Sequence, residues 1–276
     1  MGINRSSFYK WRDRQRKPSD KMIQREANIK LFKEYHDRYP SHGYRWLNAK
    51  IRRDTGSVFS DAYAQRVCHF CGIKSTSKRF RGYKAAGREC VYPNMVLADI
   101  VITRPFQVIV SDMTMIKVNG RSYKITFYMD LFNNAIVACA ISSIKGDRRT
   151  YIEGRDEVNK IKEETYPDYE LILHTDQGSV YASKDFNKDL LLHNITRSMS
   201  RAGTPTDNGA MEAINGWVKD ELYLDFKIAD CDDIEEGIKR YIDFFNNERP
   251  AYALGYKTPK EVMDEYLSKK DDEKDD

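Results

Sequence analysis

A chain of 276 residues with 41% apolar content can hold one domain with a sizeable core plus one or two small modules, and is not disordered by default. No apolar run reaches membrane-spanning length and the N-terminus has no signal-peptide-like apolar stretch, which leads us to expect a cytoplasmic location. The net charge of +4 is divided unevenly: residues 1–90 carry 22 Lys and Arg against 8 Asp and Glu (+14), residues 91–276 carry 24 against 34 (−10), as in a phosphate-binding module joined to something else.

From Lys21 to about Tyr39, Ile23, Ala27, Leu31, Phe32, Tyr35 and Tyr39 recur at helical spacing among charges, which predicts an amphipathic helix. A second helix is predicted from Tyr44 to about Arg53, stopped near Gly56. A third follows Ser60 as N-cap and ends at Gly72. Residues 20–75 thus read as a helical module whose last two helices, followed by Lys74, Lys78, Arg79, Arg81 and Lys84, suit helix-turn-helix docking on DNA; a basic hairpin contacting protein is the simpler alternative. Cys68 and Cys71 form a C-x-x-C but lack two further zinc ligands at suitable spacing, and read as half-buried helical thiols in a reducing compartment.

Residues 76–104 lack periodicity and read as a linker. Gln107–Ile116 is apolar on both faces, as a buried strand requires, and leads to the hairpin signal Asn119-Gly120. Ser122–Met129 then alternates, and a turn at Asn133-Asn134 leads into Ala135–Ser142, which completes an antiparallel meander. A helix over about 147–165 provides a crossover to the strand Tyr169–Thr175, so that parallel pairing becomes possible. Residues 183–193, 207–223 and 232–247 read as helices, and the charged run 269–276 as a disordered tail. The fold class is therefore α/β.

Asp112 at the far end of an apolar strand is costly unless it faces a cation or solvent, and Asp176 has the same setting before the turn Gln177-Gly178-Ser179. Either one alone could simply cap a turn. On the helix that begins near Asp207, the residues Asn208, Glu212, Asn215 and Lys219 form one stripe beside the apolar stripe Met211, Ile214, Val218 and Leu222. Three carboxylates meeting at one edge need hard cations, and oxygen-only ligation points to Mg²⁺ or Mn²⁺, two of which can drive phosphoryl transfer. Lys219 would hold a DNA phosphate beside them. No P-loop and no Gly-x-Ser-x-Gly elbow is present, which argues against nucleotide triphosphatases and serine hydrolases.

Three motifs stand in order: Ser111-Asp112-Met113-Thr114, His174-Thr175-Asp176-Gln177-Gly178-Ser179-Val180-Tyr181, and Asp207-Asn208-Gly209-Ala210-Met211-Glu212. Between Asp176 and Glu212 lie 35 residues, and Lys219 falls seven after the glutamate. With His42-Gly43-Tyr44-Arg45, Tyr92-Pro93-Asn94 and Phe245–Pro250 through Leu254–Pro259, the chain resembles, over nearly its whole length, the insertion-sequence transposases with a retroviral-integrase-like core. Within them it resembles the second-reading-frame product of the insertion-sequence-three family. It departs from that pattern at Ala251, where a histidine is usual, and at Ala213 and Ile214, where Ser-Phe is usual.

The resemblance implies a ribonuclease-H-like core, a mixed five-stranded sheet with flanking helices, preceded by a small all-helical DNA-binding module. It divides the chain into a remnant of an upstream helix-turn-helix region (1–19), the helical module (20–75), a basic linker (76–104), the catalytic core (105–225), a helical extension (226–268) and the tail. It implies metal-dependent DNA cleavage and strand transfer by Asp112, Asp176 and Glu212 with two Mg²⁺ or Mn²⁺ ions, and DNA contacts from Lys219, Asn208, Asn215 and Arg45. Expected partners are element-end and target DNA, further copies of the chain and an upstream-frame DNA-binding product. Two other readings are a catalytically inactive DNA-binding remnant or regulator, and a nuclease that cuts without joining.

Overall fold

The computed structural model describes residues 5–6, 9, 12, 19–76, 90–95, 100–144, 146–188, 190–201 and 209–275; the side chains of 209–213 and 273–275 lie outside that description. The expected remnant at 1–19 and the basic cluster Lys78–Lys84 fall largely or wholly outside the described residues. The chain forms two compact units, residues 1–77 and 78–276.

In the first unit, helices α1 (Asp20–Arg38), α2 (Tyr44–Thr55) and α3 (Asp61–Cys71) enclose Phe32, Leu47, Ile51, Ala64 and Val67. Their ends follow local chemistry. Gly56 and Gly72 each take φ +70°, the left-handed conformation that closes a helix, and Ser60 Oγ accepts the Tyr63 N–H at 3.2 Å. The buried face of α1 keeps Phe32 of the expected stripe but not Ile23, 52% exposed, or Ala27, also exposed; Asn28 is buried in their place. Asn28 decides this by donating to the Tyr63 hydroxyl at 2.9 Å, which turns a polar residue inward. Cys68 is buried and its thiol is pushed up to about 11 by that burial, while Cys71 is half-buried; both are free.

The second unit is built on strands β1 (Val108–Val118), β2 (Arg121–Asp130), β3 (Ile136–Ser142), β4 (Leu171–Thr175) and β5 (Ile195–Met199), in the order β3-β2-β1-β4-β5. β1, β2 and β3 form the antiparallel meander; Asn119 and Gly120 turn the first hairpin with φ 49° and 78°, the paired positive values a two-residue turn needs. Helix α4 (Arg149–Thr165) crosses over so that β4 pairs parallel to β1, and β5 pairs parallel to β4. Because successive strand residues face opposite sides, Val108 and Val110 pack under α5 (Gly209–Leu224) and α6 (Ile234–Asn247), whereas Ile109, Leu171 and Leu173 pack on the α4 side. This mixed five-stranded sheet between helices is a ribonuclease-H-like core.

Three expectations need correction. Residues 183–193 are not one helix: they form a single turn at Lys184–Asn187 and a 3₁₀ turn at Leu190–His193 that leaves Leu191 and Leu192 exposed, and β5 follows. The described parts of the expected linker 76–104 are not free connectors. Pro93 O accepts from Met199 N at 3.2 Å, the Met95 N–H donates to Ser198 Oγ at 2.8 Å, and Ile100 and Ile102 pack on the core. The expected disordered tail is instead the end of α7 (Pro259–Asp275), started by a reciprocal cap between Thr258 and Glu261. Lys270 holds its last turns, donating to the Tyr169 hydroxyl at 3.3 Å.

Candidate active site

Ser111 of β1 pairs with Thr175 at the end of β4, so Asp112, still on β1, and Asp176, just past β4, each follow directly from that parallel pair. Asp112 is not at the far end of its strand, because β1 runs on to Val118 against β2; it stands where the parallel pairing with β4 stops. Its carboxylate, partly buried, accepts from its neighbour Met113 N at 2.8 Å and from Asn215 Nδ2 at 2.7 Å. Asp176, the first residue beyond β4, is exposed and accepts the Gly178 N–H at 2.7 Å in a tight turn. A Cβ at Gly178 would lie 2.8 Å from Asp176 Oδ1, so the turn keeps a glycine for space.

Asn215, expected to contact DNA, donates from Nδ2 to Asp112 Oδ2 at 2.7 Å. Glu212 lies three residues earlier on α5, and its side chain is outside the described residues, as is the whole of Asn208. Lys219, half-buried, is one turn beyond Asn215 on the same helix. Arg45 belongs to the other compact unit, where it is exposed, 3.9 Å from the Asp61 carboxylate and over the Tyr44 ring. The structure therefore brings Asp112 and Asp176 to the same end of the β1–β4 pair and ties the first of them to the helix of Glu212 and Lys219.

That helix is anchored. Val218 and Leu222 are buried in the core, and the fully buried Glu221 is paired with Arg249 at 2.7 Å while accepting the Tyr241 hydroxyl at 2.9 Å. The sequence reading missed Glu221, although its place seven residues after Ile214, on the apolar side of the helix, signals a buried partner. The run Phe245–Pro250 that holds Arg249 also supplies Asn246, whose amide bonds both backbone groups of Ile136 at 2.9 Å and so pins the start of β3.

On the α4 face, the Ser111 hydroxyl meets Tyr181 Oη at 2.8 Å, and the Tyr181 ring stands edge-on to Tyr151 at 4.9 Å. The Tyr151 hydroxyl is pushed up to about 12, first by burial and then by the negative charges of Asp176 and Asp112. Both carboxylates thus lie within electrostatic reach of one neutral phenol. His174 is wholly buried with its ring nitrogens 2.8 and 3.0 Å from the Ser198 and Ser200 hydroxyls, which makes it a brace between β4 and β5.

Among the described residues no three His, Cys, Asp or Glu side chains come together. The two that do share an edge offer oxygen atoms only, on carboxylates held by amide N–H groups, a donor set that fits a hard divalent cation and not a soft one.

Two family models described as "Integrase core domain" match residues 102–205 and 193–259. The chain is 28% identical over 265 residues to the putative transposase InsK for insertion sequence element IS150 of Escherichia coli K12, covering 95% of this chain and 90% of that protein. It is also 28% identical over 250 residues to the transposase for insertion sequence element IS904 of Lactococcus lactis, covering 89% and 97%. Among solved structures, the HTLV-2 integrase catalytic core domain in complex with magnesium aligns with TM-score 0.44 and 19% identity, over 57% of this chain and 96% of that one. Matches along nearly the full length, with the ordered aspartate and glutamate motifs, place this chain among the insertion-sequence transposases of the insertion-sequence-three type, with an integrase-like core.

Proposed function

We propose that this transposase cuts DNA at the ends of its element and joins the freed strands to target DNA, with Asp112, Asp176 and Glu212 holding two Mg²⁺ or Mn²⁺ ions. The observation that carries this reading is the parallel pair Ser111–Thr175, from which Asp112 on β1 and Asp176 just past the end of β4 each follow directly, with Asn215 tying Asp112 to the helix of Glu212. Bound ions supply activation of the attacking oxygen and neutralisation of charge at the leaving oxygen. Asp112 and Asp176 fix where those ions sit, Asn215 aims the Asp112 carboxylate, and the anchored α5 delivers Glu212. Lys219 and Asn208 engage phosphates beside the site. In the helical unit Arg45, with the exposed Arg52, Arg53 and Arg66, supplies the sequence-independent grip on the duplex. Cleavage at two ends and joining to a target call for more than one copy of the chain on the DNA, in the cytoplasm, together with an upstream-frame DNA-binding product.

The test is incubation of the full chain with labelled element-end duplex and Mg²⁺, scoring nicked and joined strands. Wild type gives both, and Asp176→Asn folds and binds the duplex but gives neither. Undiminished cleavage by Asp176→Asn overturns the assignment, and nicks without joined strands reduce it to a nuclease.

A further inference from the structure

Arg197 places a positive charge inside the protein. It lies on β5 opposite Leu173 of β4 and is 5% exposed. Its guanidinium donates to the Leu173 carbonyl at 2.6 Å, Thr175 Oγ1 at 2.9 Å and Asn187 Oδ1 at 2.8 Å. All three acceptors are neutral, and the rings of Phe186 and Tyr92 lie 5.1 and 5.7 Å away. Burial lowers its pKa to about 10, which still leaves it charged at neutral pH. A buried charge with no counter-ion among the described residues is costly, and an apolar residue would suit its neighbours Ile195 and Met199 better.

What the guanidinium fork does, and an apolar residue cannot, is grip both ends of the turn that carries Asp176. Thr175 Oγ1 accepts from Arg197 and donates onward to the Asp176 carbonyl at 2.9 Å. Asn187, held by Arg197 on its oxygen, donates from its nitrogen to the Tyr181 and Ser183 carbonyls at 2.8 and 2.7 Å. Between these points the Asp176–Gly178 turn has no regular secondary structure to fix it. We propose that Arg197 is a positioning residue for Asp176, fixing through Thr175 and Asn187 the backbone from which that carboxylate projects, and so setting how tightly the site takes a divalent cation. The inference rests on the reading of Asp176 as a metal ligand.

The experiment is a titration of the full chain with MnCl₂ followed by electron paramagnetic resonance, with thermal melting in metal-free buffer and duplex binding alongside. The variants are Arg197→Met, Thr175→Val, Thr175→Ser and Asp176→Asn. Arg197→Met and Thr175→Val are expected to raise the half-saturating Mn²⁺ concentration about tenfold, while Thr175→Ser, which keeps the hydroxyl, stays within about twofold of wild type. Duplex binding is unchanged throughout, and the Arg197→Met/Thr175→Val double variant is no worse than Arg197→Met, as for two links of one chain. Wild-type Mn²⁺ affinity in folded Arg197→Met or Thr175→Val, with affinity lost in Asp176→Asn, overturns the proposal. Wild-type affinity in Asp176→Asn overturns the reading on which it rests. Should Arg197→Met fail to fold, the Thr175 pair decides: weaker binding restored by Ser supports the proposal, and equal binding of Val and Ser overturns it.

Discussion

Asn215 of α5 donates to Asp112 of β1 at 2.7 Å, a bond between residues 103 positions apart that joins the helix of Glu212 to the strand of the first aspartate. A carboxylate only accepts, so the amide nitrogen must face it, and Asn215 Oδ1 is buried without a hydrogen-bond partner among the described residues. Loss of this bond frees Asp112 to rotate. Asn215→Ala is expected to lower strand cleavage about 10-fold or more while leaving duplex binding intact. Asn215→Asp, which sets a second negative charge against Asp112, is expected to lower it further, and more in low than in high Mg²⁺. Cleavage rates across a Mg²⁺ series check both.

Gly178 allows the Asp176 turn to close. Its added Cβ would fall 2.8 Å from the carboxylate oxygen that its own N–H binds. Gly178→Ala therefore displaces Asp176 with little effect on the folded core, and about a tenfold loss of cleavage is expected with a melting temperature near wild type. A parallel fall in melting temperature and activity would instead assign the glycine to folding.

The buried Glu221–Arg249 pair, closed by Tyr241, is expected to behave as a unit. Removing one partner strands the other charge in the core, at a cost of ~3–5 kcal/mol, whereas replacing both with apolar residues is much milder. Urea unfolding of Glu221→Leu, Arg249→Met and the double variant tests this; additive losses would show that the two do not depend on each other.

Asp130 gives the core a pH dependence. It is wholly buried, accepts the Phe106 and Phe132 N–H groups at 2.9 Å each, and has its pKa raised by burial from 3.8 to about 6. The folded state thus holds the proton more tightly than the unfolded chain. Its contribution is intact below about pH 4, falls as pH rises toward 6, and is flat beyond, a loss of ~3 kcal/mol in all. Denaturation of wild type and Asp130→Asn between pH 4 and 7 should show the gap between them narrowing, or reversing in favour of the variant, as pH rises.

What could be read from the sequence was what local chemistry decides. Ser60, Gly56 and Gly72 end their helices by hydrogen bonds and dihedrals of their own, and Asn119-Gly120 makes its turn unaided. β5 was illegible because Thr196 and Arg197 interrupt the apolar pattern of a strand, and because the preceding Leu190–Leu192 run imitates a helix face. The length of α7 was hidden by its charge, since the tyrosines that receive Lys270 are remote in sequence or shared with the helix itself. In the site, the types and spacing of Asp112, Asp176 and Glu212 carry the chemistry, and their chain order can be read directly. Their supports cannot: Asn215 to Asp112, Arg197 to Thr175 and Arg249 to Glu221 are bonds between elements, and nothing in a linear pattern says which acceptor a side chain will meet once the sheet has formed.

The Arg249 contact also has a consequence for timing. A ribosome makes Glu221 well before Arg249, and until that arginine has cleared the exit tunnel the helix of Glu212 carries an acid that the core will not accept. A nascent chain is therefore expected to have Asp112 on β1 and Asp176 at the end of β4 in place while its third carboxylate is still undocked. Cleavage is expected only once residue 249 has emerged; ribosome-bound chains stalled just before and just after that point, assayed for cleavage, would reveal the step.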